Sequence, residues 1–114
     1  MPEPSNNDRP ERCELCARAV PRLTRHHLIP RTRHSNRRNK RDFDRSEVHE
    51  RIAWLCRPCH DHLHARFTEK TLEREFNTLE ALREDPEIAR FVAWIQDRPA
   101  AFRPPAARRM KRRR

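Results

Sequence analysis

Two cysteine pairs, Cys13 with Cys16 and Cys56 with Cys59, together with seven histidines, carry most of the side chains here that are able to do metal chemistry. Each pair has the C-x-x-C spacing of a tight knuckle whose backbone amides support thiolates, and two such knuckles satisfy tetrahedral zinc. A zinc held by four cysteines is closed to substrate, so this site is expected to clamp the chain rather than to react. Paired redox thiols are the competing reading, but no thioredoxin-like βαβ pattern surrounds them.

The histidines suggest a second centre. In "LTRHHLIP", His26 and His27 are adjacent, and neighbours on an extended strand face opposite sides, so the two imidazoles should have different jobs. One can ligate a metal while the other moves a proton. In "WLCRPCHDHLH", His60 and His64 lie four apart, where two imidazoles on one helical face can share one metal, and His62 is turned away. If zinc joins the two knuckles, the strand bearing His26 and His27 is drawn to the start of that helix.

The elements that must position these groups are short. The 114-residue chain is 34% hydrophobic and 39% charged, too little apolar material for a sizeable core, which is where a structural metal helps. Residues 1–10 read as a disordered N-terminus and residues 11–66, holding every cysteine and histidine, as the working module. Within it, "AVPRLTRHHLIP" reads as a strand and turn or two short strands, "RIAWLC" as a second strand ending in a knuckle, and a helix follows from about residue 58 or 59.

Residues 67–97 read as a helical hairpin packed on the module. Thr68 or Thr71 caps a first helix carrying Leu72, Phe76, Leu79 and Leu82. Asp85 and Pro86 start a second with Ile88, Phe91, Val92 and Ile95 at helical spacing. Residues 98–114 read as a basic, disordered tail. The chain has no glycine, so any turn needing positive φ must use asparagine or a strained residue.

The net charge of +10 is concentrated in two places, about +5 in residues 31–45 and about +8 in residues 98–114. The first, "RTRHSNRRNKRDFDR", is expected to be a loop beside the metal site, with Arg31, Arg33, Arg37, Arg38, Lys40 and Arg41 as the nucleic-acid-binding residues. Basic runs also bind membranes or RNA without specificity, but a basic loop beside a metal site suits a polyphosphate substrate. "MPEPSNNDRPER" has no apolar run, and no stretch reaches the roughly 20 apolar residues of a membrane span. A cytoplasmic protein with no membrane partner is therefore expected; the oligomeric state is left open.

"CELC", "LTRHHLIP" and "WLCRPCHDHLH", in that order, resemble the HNH nucleases of the subgroup with a four-cysteine zinc, across residues 13–66. The resemblance implies an α+β fold, a small ββα-metal module with a structural four-cysteine zinc, followed here by the helical hairpin. It also implies an endonuclease acting on DNA, with RNA possible, leaving 5′-phosphate and 3′-hydroxyl ends. By position, His26 matches a metal ligand, His27 the general base, and His60 and His64 further ligands. Besides the structural Zn2+, it implies a catalytic divalent ion, Zn2+, Ni2+, Mn2+ or Mg2+; histidine donors disfavour magnesium.

The chain departs from the family at one place. The asparagine that normally orients the base-carrying loop is replaced by Arg51, nine residues before His60. Either Asn36, Asn39 or His49 is expected to substitute, with His49 preferred as a catalytic residue, or activity is expected to be weak. A non-catalytic zinc module that binds nucleic acid, or an RNA-directed or complex-dependent nuclease, is the alternative.

Overall fold

A computed structural model describes residues 10–102 and 104; the expectations for residues 1–9 and for most of the C-terminal tail lie outside the described residues. The fold is α+β, with one two-stranded antiparallel sheet and six α-helices among the described residues. Strand β1 (Thr24–His27) pairs with β2 (Ile52–Leu55) in a register that sets Thr24 opposite Leu55, His26 opposite Ala53 and His27 opposite Ile52. Helix α3 (Arg57–Arg66) follows β2 directly, with Cys56 as its N-cap and Pro58 in the first turn, where a missing N–H costs nothing.

The first knuckle is fastened to the open edge of β2. Glu14 N donates to Trp54 O and Trp54 N donates to Glu14 Oε1, both at 2.8 Å, and an isolated bridge joins Arg12 to Ala19. Reversal after Cys16 uses Ala17 at φ 68°, the one positive φ among the described residues. With no glycine in the chain, alanine, which has the smallest Cβ substituent, takes the left-handed position.

The 24 residues between the strands, of which 31–45 are expected to be a basic loop, are mostly helical. A 3-10 turn (Arg31–Arg33) leads to α1 (Arg37–Asp42) and α2 (Arg45–Glu50). Asn36 caps α1, its side chain accepting from Arg38 N and Asn39 N. Arg45 holds the segment together, donating to the carbonyls of His34, Asn39 and Phe43 and to Asn39 Oδ1. Arginine and lysine are good helix formers, and local capping decided what a reading of charge alone missed.

The C-terminal helices extend one shared core. α4 (Glu69–Glu75) is capped by Thr68, α5 (Leu79–Glu84) by Thr78, and α6 (Pro86–Ile95) by Asp85. The first arm of the expected hairpin is therefore two helices, broken at Phe76–Thr78. Asn77 Nδ2 takes the Glu73 carbonyl at 2.7 Å, Thr78 opens a new cap, and Arg51 Nη2 holds Asn77 O at 2.6 Å. Leu63, Phe67, Leu72, Leu82, Ile88 and Ile95 are buried in the same cluster as Leu55 and the four cysteines. Arg66 closes the corner with a two-point contact to Asp85, at 2.8 and 3.1 Å.

The boundary of the expected tail also moves. Residues 98–102 pack on the body: Arg98 lies over the Trp94 ring, Phe102 sits edge-on to Trp94, and Pro99 O accepts from Arg18 at 2.6 Å. No helix among the described residues is long and apolar enough to cross a membrane.

Candidate functional site

Cys13, Cys16, Cys56 and Cys59 meet in a buried cluster in which no sulfur is in a disulfide. Cys16 Sγ lies 3.8 Å from Cys56 Sγ, close to the edge of about 3.8 Å that a tetrahedron with metal–sulfur bonds of about 2.3 Å requires. The knuckle amides of Leu15 and Cys16 point at Cys13 Sγ at 3.4 Å, and Arg18 Nη2 stands 3.4 Å from Cys56 Sγ, so donors and a cation are ready for thiolate charge. Hydrogen bonds from Cys13, Cys56 and Cys59 hold the Cys16 thiol well below the usual range. Cys59, beside Cys13, Cys16 and Cys56 and desolvated by burial, is pushed far above it. The cluster fits a structural zinc, and among the described residues it offers no other ligand position.

Thr24, His26 and the paired strand β2 bring the histidines to the start of α3. His26 faces inward and is 1% exposed, yet both of its ring nitrogens lack a hydrogen-bond partner. Burying two unsatisfied imidazole nitrogens is costly unless something else occupies them. The His60 and His64 rings lie 5.2 and 5.3 Å from it, and one donor atom from each of the three falls within 4.8 Å of the others. The residues therefore fit a bound cation.

The geometry also sets tautomers. Thr24 Oγ1 donates to Leu55 O at 2.7 Å, so its contact of 2.7 Å with His60 Nδ1 is an acceptance from Nδ1–H, which leaves Nε2 unprotonated with its lone pair available to a metal. Burial first, and then His60 and His64, bring His26 down to about 3. Burial, followed by His64, brings His60 to about 4. Both imidazoles are neutral at physiological pH, the form that ligates a metal.

His27 faces the other way. Its imidazole is half-buried, makes no side-chain hydrogen bond among the described residues, and lines an open cleft of about 160 Å³ with His26, His60, His64, Arg25 and Arg31. Burial, then the charges of Arg25 and His34, keep it below the usual imidazole value. His34, which the sequence reading passed over, has its ring 6.0 Å from His27 and 5.3 Å from His49. The expected stand-in His49 thus meets His34, which is fixed by a 2.7 Å contact from its Nε2 to Ile29 O.

The other residues expected to take that role are already engaged. Asn36 caps α1, and Asn39 is buried between Glu73 and Arg45. Arg51 itself supports the turn after His27 through its backbone, Leu28 N donating to Arg51 O at 2.9 Å.

The six expected nucleic-acid contacts separate. Arg31 rims the cleft, while Arg37, Arg38, Lys40 and Arg41 spread along the exposed side of α1. Arg33 is turned inward as a partner of the fully buried Glu73, at 3.0 Å, and its charge is spent on the fold. Arg25 and Thr24 were not foreseen. Thr24 stands two residues before His26 on the same strand, a spacing that marks the same face.

No family model matches the chain, and no solved structure matches it. The chain is similar to the uncharacterized protein YisB of Bacillus subtilis (strain 168), 39% identical over 87 residues that make up 76% of this chain and 75% of that protein. At that identity and coverage, the chain belongs to the family of YisB.

Proposed function

We propose that the protein is a metal-dependent endonuclease of the HNH kind that hydrolyses DNA phosphodiester bonds. His27 acts as general base, and His26, His60 and His64 hold one divalent ion. The observation that carries this reading is the pairing on one short strand of a buried, unpartnered His26, facing two further imidazoles, with an unbonded His27 in an arginine-rimmed cleft. The four-cysteine cluster is assigned a structural Zn2+ that holds the strands in register.

His26, His60 and His64 would hold the divalent ion, which when bound would supply Lewis acidity for phosphoryl transfer. The chain's own groups do the rest. His27 accepts the proton of the attacking water as the water oxygen bonds to phosphorus, the P–O3′ bond breaks on the opposite side, and the departing 3′ oxygen takes a proton from solvent to become the 3′-hydroxyl. Arg25 and Arg31 stand on the rim, where a phosphate oxygen would be held, and the exposed cations of α1 continue that positive surface. Among the described residues no carboxylate joins the histidine set, so the donors favour Zn2+, Ni2+ or Mn2+ over Mg2+.

A supercoiled-plasmid nicking assay across these metals, run on native protein and on His27→Ala with an RNA substrate in parallel, tests the reading. Nicking by the native chain that is lost in the variant supports it. Equal nicking by both overturns it, and DNA binding with no cleavage by either favours the non-catalytic zinc module. Cleavage of RNA alone would reassign the substrate.

A further inference from the structure

Glu69, the first residue of α4, belongs to neither metal cluster, yet it lines the histidine cleft beside Thr32 and Arg31. Its Oε2 lies 3.5 Å from His64 Nδ1, and its Oε1 accepts a 2.9 Å hydrogen bond from the Thr32 hydroxyl. The carboxylate is outside the set of donor atoms that converge within 4.8 Å. It stands beside His64 Nδ1, outside that set.

The two α3 histidines face matching problems. An imidazole that ligates through one nitrogen needs its other N–H held, or the ring turns and the tautomer is unfixed. For His60 that role falls to Thr24. Around His64 Nδ1, the one polar neighbour recorded among the described residues is Glu69. A gap of 3.5 Å is longer than a good hydrogen bond, but a small rotation of either half-exposed side chain would close it.

We propose that Glu69 is the positioning residue of His64: it accepts the Nδ1 proton, fixes the tautomer that leaves Nε2 as the ligating atom, and is itself aimed by Thr32. This rests on the three histidines being a metal site. It makes the basic segment between the strands part of the metal centre, because Thr32 follows the cleft-rim Arg31 directly.

The test is a Co2+ titration of protein whose four-cysteine site is already filled with Zn2+, read by visible d–d absorption. Sulfur-to-cobalt bands in the near ultraviolet report any exchange at the cysteines. Glu69→Ala is expected to weaken Co2+ binding at the histidines by about 10- to 100-fold and to change the band shape. Thr32→Val should weaken it by less, and Glu69→Gln, which keeps an acceptor oxygen, should restore most of the affinity. Thr32→Val and Glu69→Gln also carry the test if the alanine variant folds poorly.

Native affinity and spectrum in Glu69→Ala would overturn the proposal and leave the metal site standing. A native chain that takes up no Co2+ beyond the cysteine site would defeat the metal-site reading, and the role of Glu69 with it.

Discussion

Asn39 and Glu73, 34 residues apart in sequence and both fully buried, meet in a 2.6 Å hydrogen bond from the Asn39 amide to Glu73 Oε2. Arg33 Nε and Arg74 Nε donate to the other oxygen at 3.0 and 3.1 Å. This contact fastens the basic segment to α4, and through it the cleft rim to the helical end of the molecule.

Replacing Glu73 with Ala leaves the buried Asn39 amide and Arg33 without their acceptor and takes one of two carboxylate partners from Arg74, which keeps Asp42; it should cost about 3 kcal/mol or more of stability. Glu73→Gln should cost less. Urea unfolding monitored by circular dichroism gives both values.

The same carboxylate makes stability depend on acid. Burial opposes its ionisation, but the donors Arg74, Asn39 and Arg33 outweigh burial and hold it below its ordinary value of 4.5. A group depressed in the folded state stabilises fully above its unfolded pKa and loses that contribution as pH falls through its folded pKa. The melting temperature of the native chain should therefore drop below about pH 4.5 more steeply than that of Glu73→Gln.

Ala17 offers the opposite kind of change. A left-handed φ costs an L-residue about 1–2 kcal/mol, and glycine returns most of it against a smaller loss in chain entropy. Ala17→Gly should thus stabilise by roughly 0.5–1 kcal/mol, raising the melting temperature by a few degrees, while Ala17→Val should lower it. Differential scanning calorimetry on zinc-loaded protein measures both.

The four-cysteine site should hold one Zn2+ per chain, and its binding energy should be largely folding energy. Cys56→Ser should lose zinc by atomic absorption and unfold the strand pair together. A variant with native zinc content and unchanged melting would exclude that coupling.

The convergence of the histidines and of the cysteines was legible because spacing fixes geometry: C-x-x-C makes a knuckle, and i,i+4 puts His60 and His64 on one face. What sequence could not show was how distant side chains would be consumed. Arg33 reads as one more cation in a basic run until the buried Glu73, forty residues on, claims it. Glu69 and His34 carry no periodic signal toward the site, and the break at Phe76–Thr78 depends on Arg51 reaching Asn77 from another element. The hydrophobic spacing ran straight through that break because Leu72, Leu79 and Leu82 serve one core from two helices.

That division of the arginines separates two variants in binding. Converting Arg37, Arg38 and Lys40 to Gln should make the slope of log affinity against log salt shallower by about 2–3, with melting unchanged, if each meets a phosphate. Arg33→Ala should instead destabilise the fold and leave the slope near native. Fluorescence anisotropy with duplex DNA over a salt series, beside thermal melts, distinguishes the two outcomes.

The adjacent histidines should fail in different ways. His26→Ala removes an inward ligand from a buried site, so metal affinity at the histidines should fall, and excess metal should restore part of any cleavage. His27→Ala removes a cleft-facing imidazole that takes no part in the three-histidine cluster. Metal and DNA should then bind nearly as in the native chain, while cleavage drops by about 100-fold or more and added metal does not recover it. Equal loss of metal by both variants would make His27 a ligand and remove it as the base. Calorimetric metal titration beside single-turnover nicking reads both quantities on the same preparations, so the strand's inner and outer faces are tested separately.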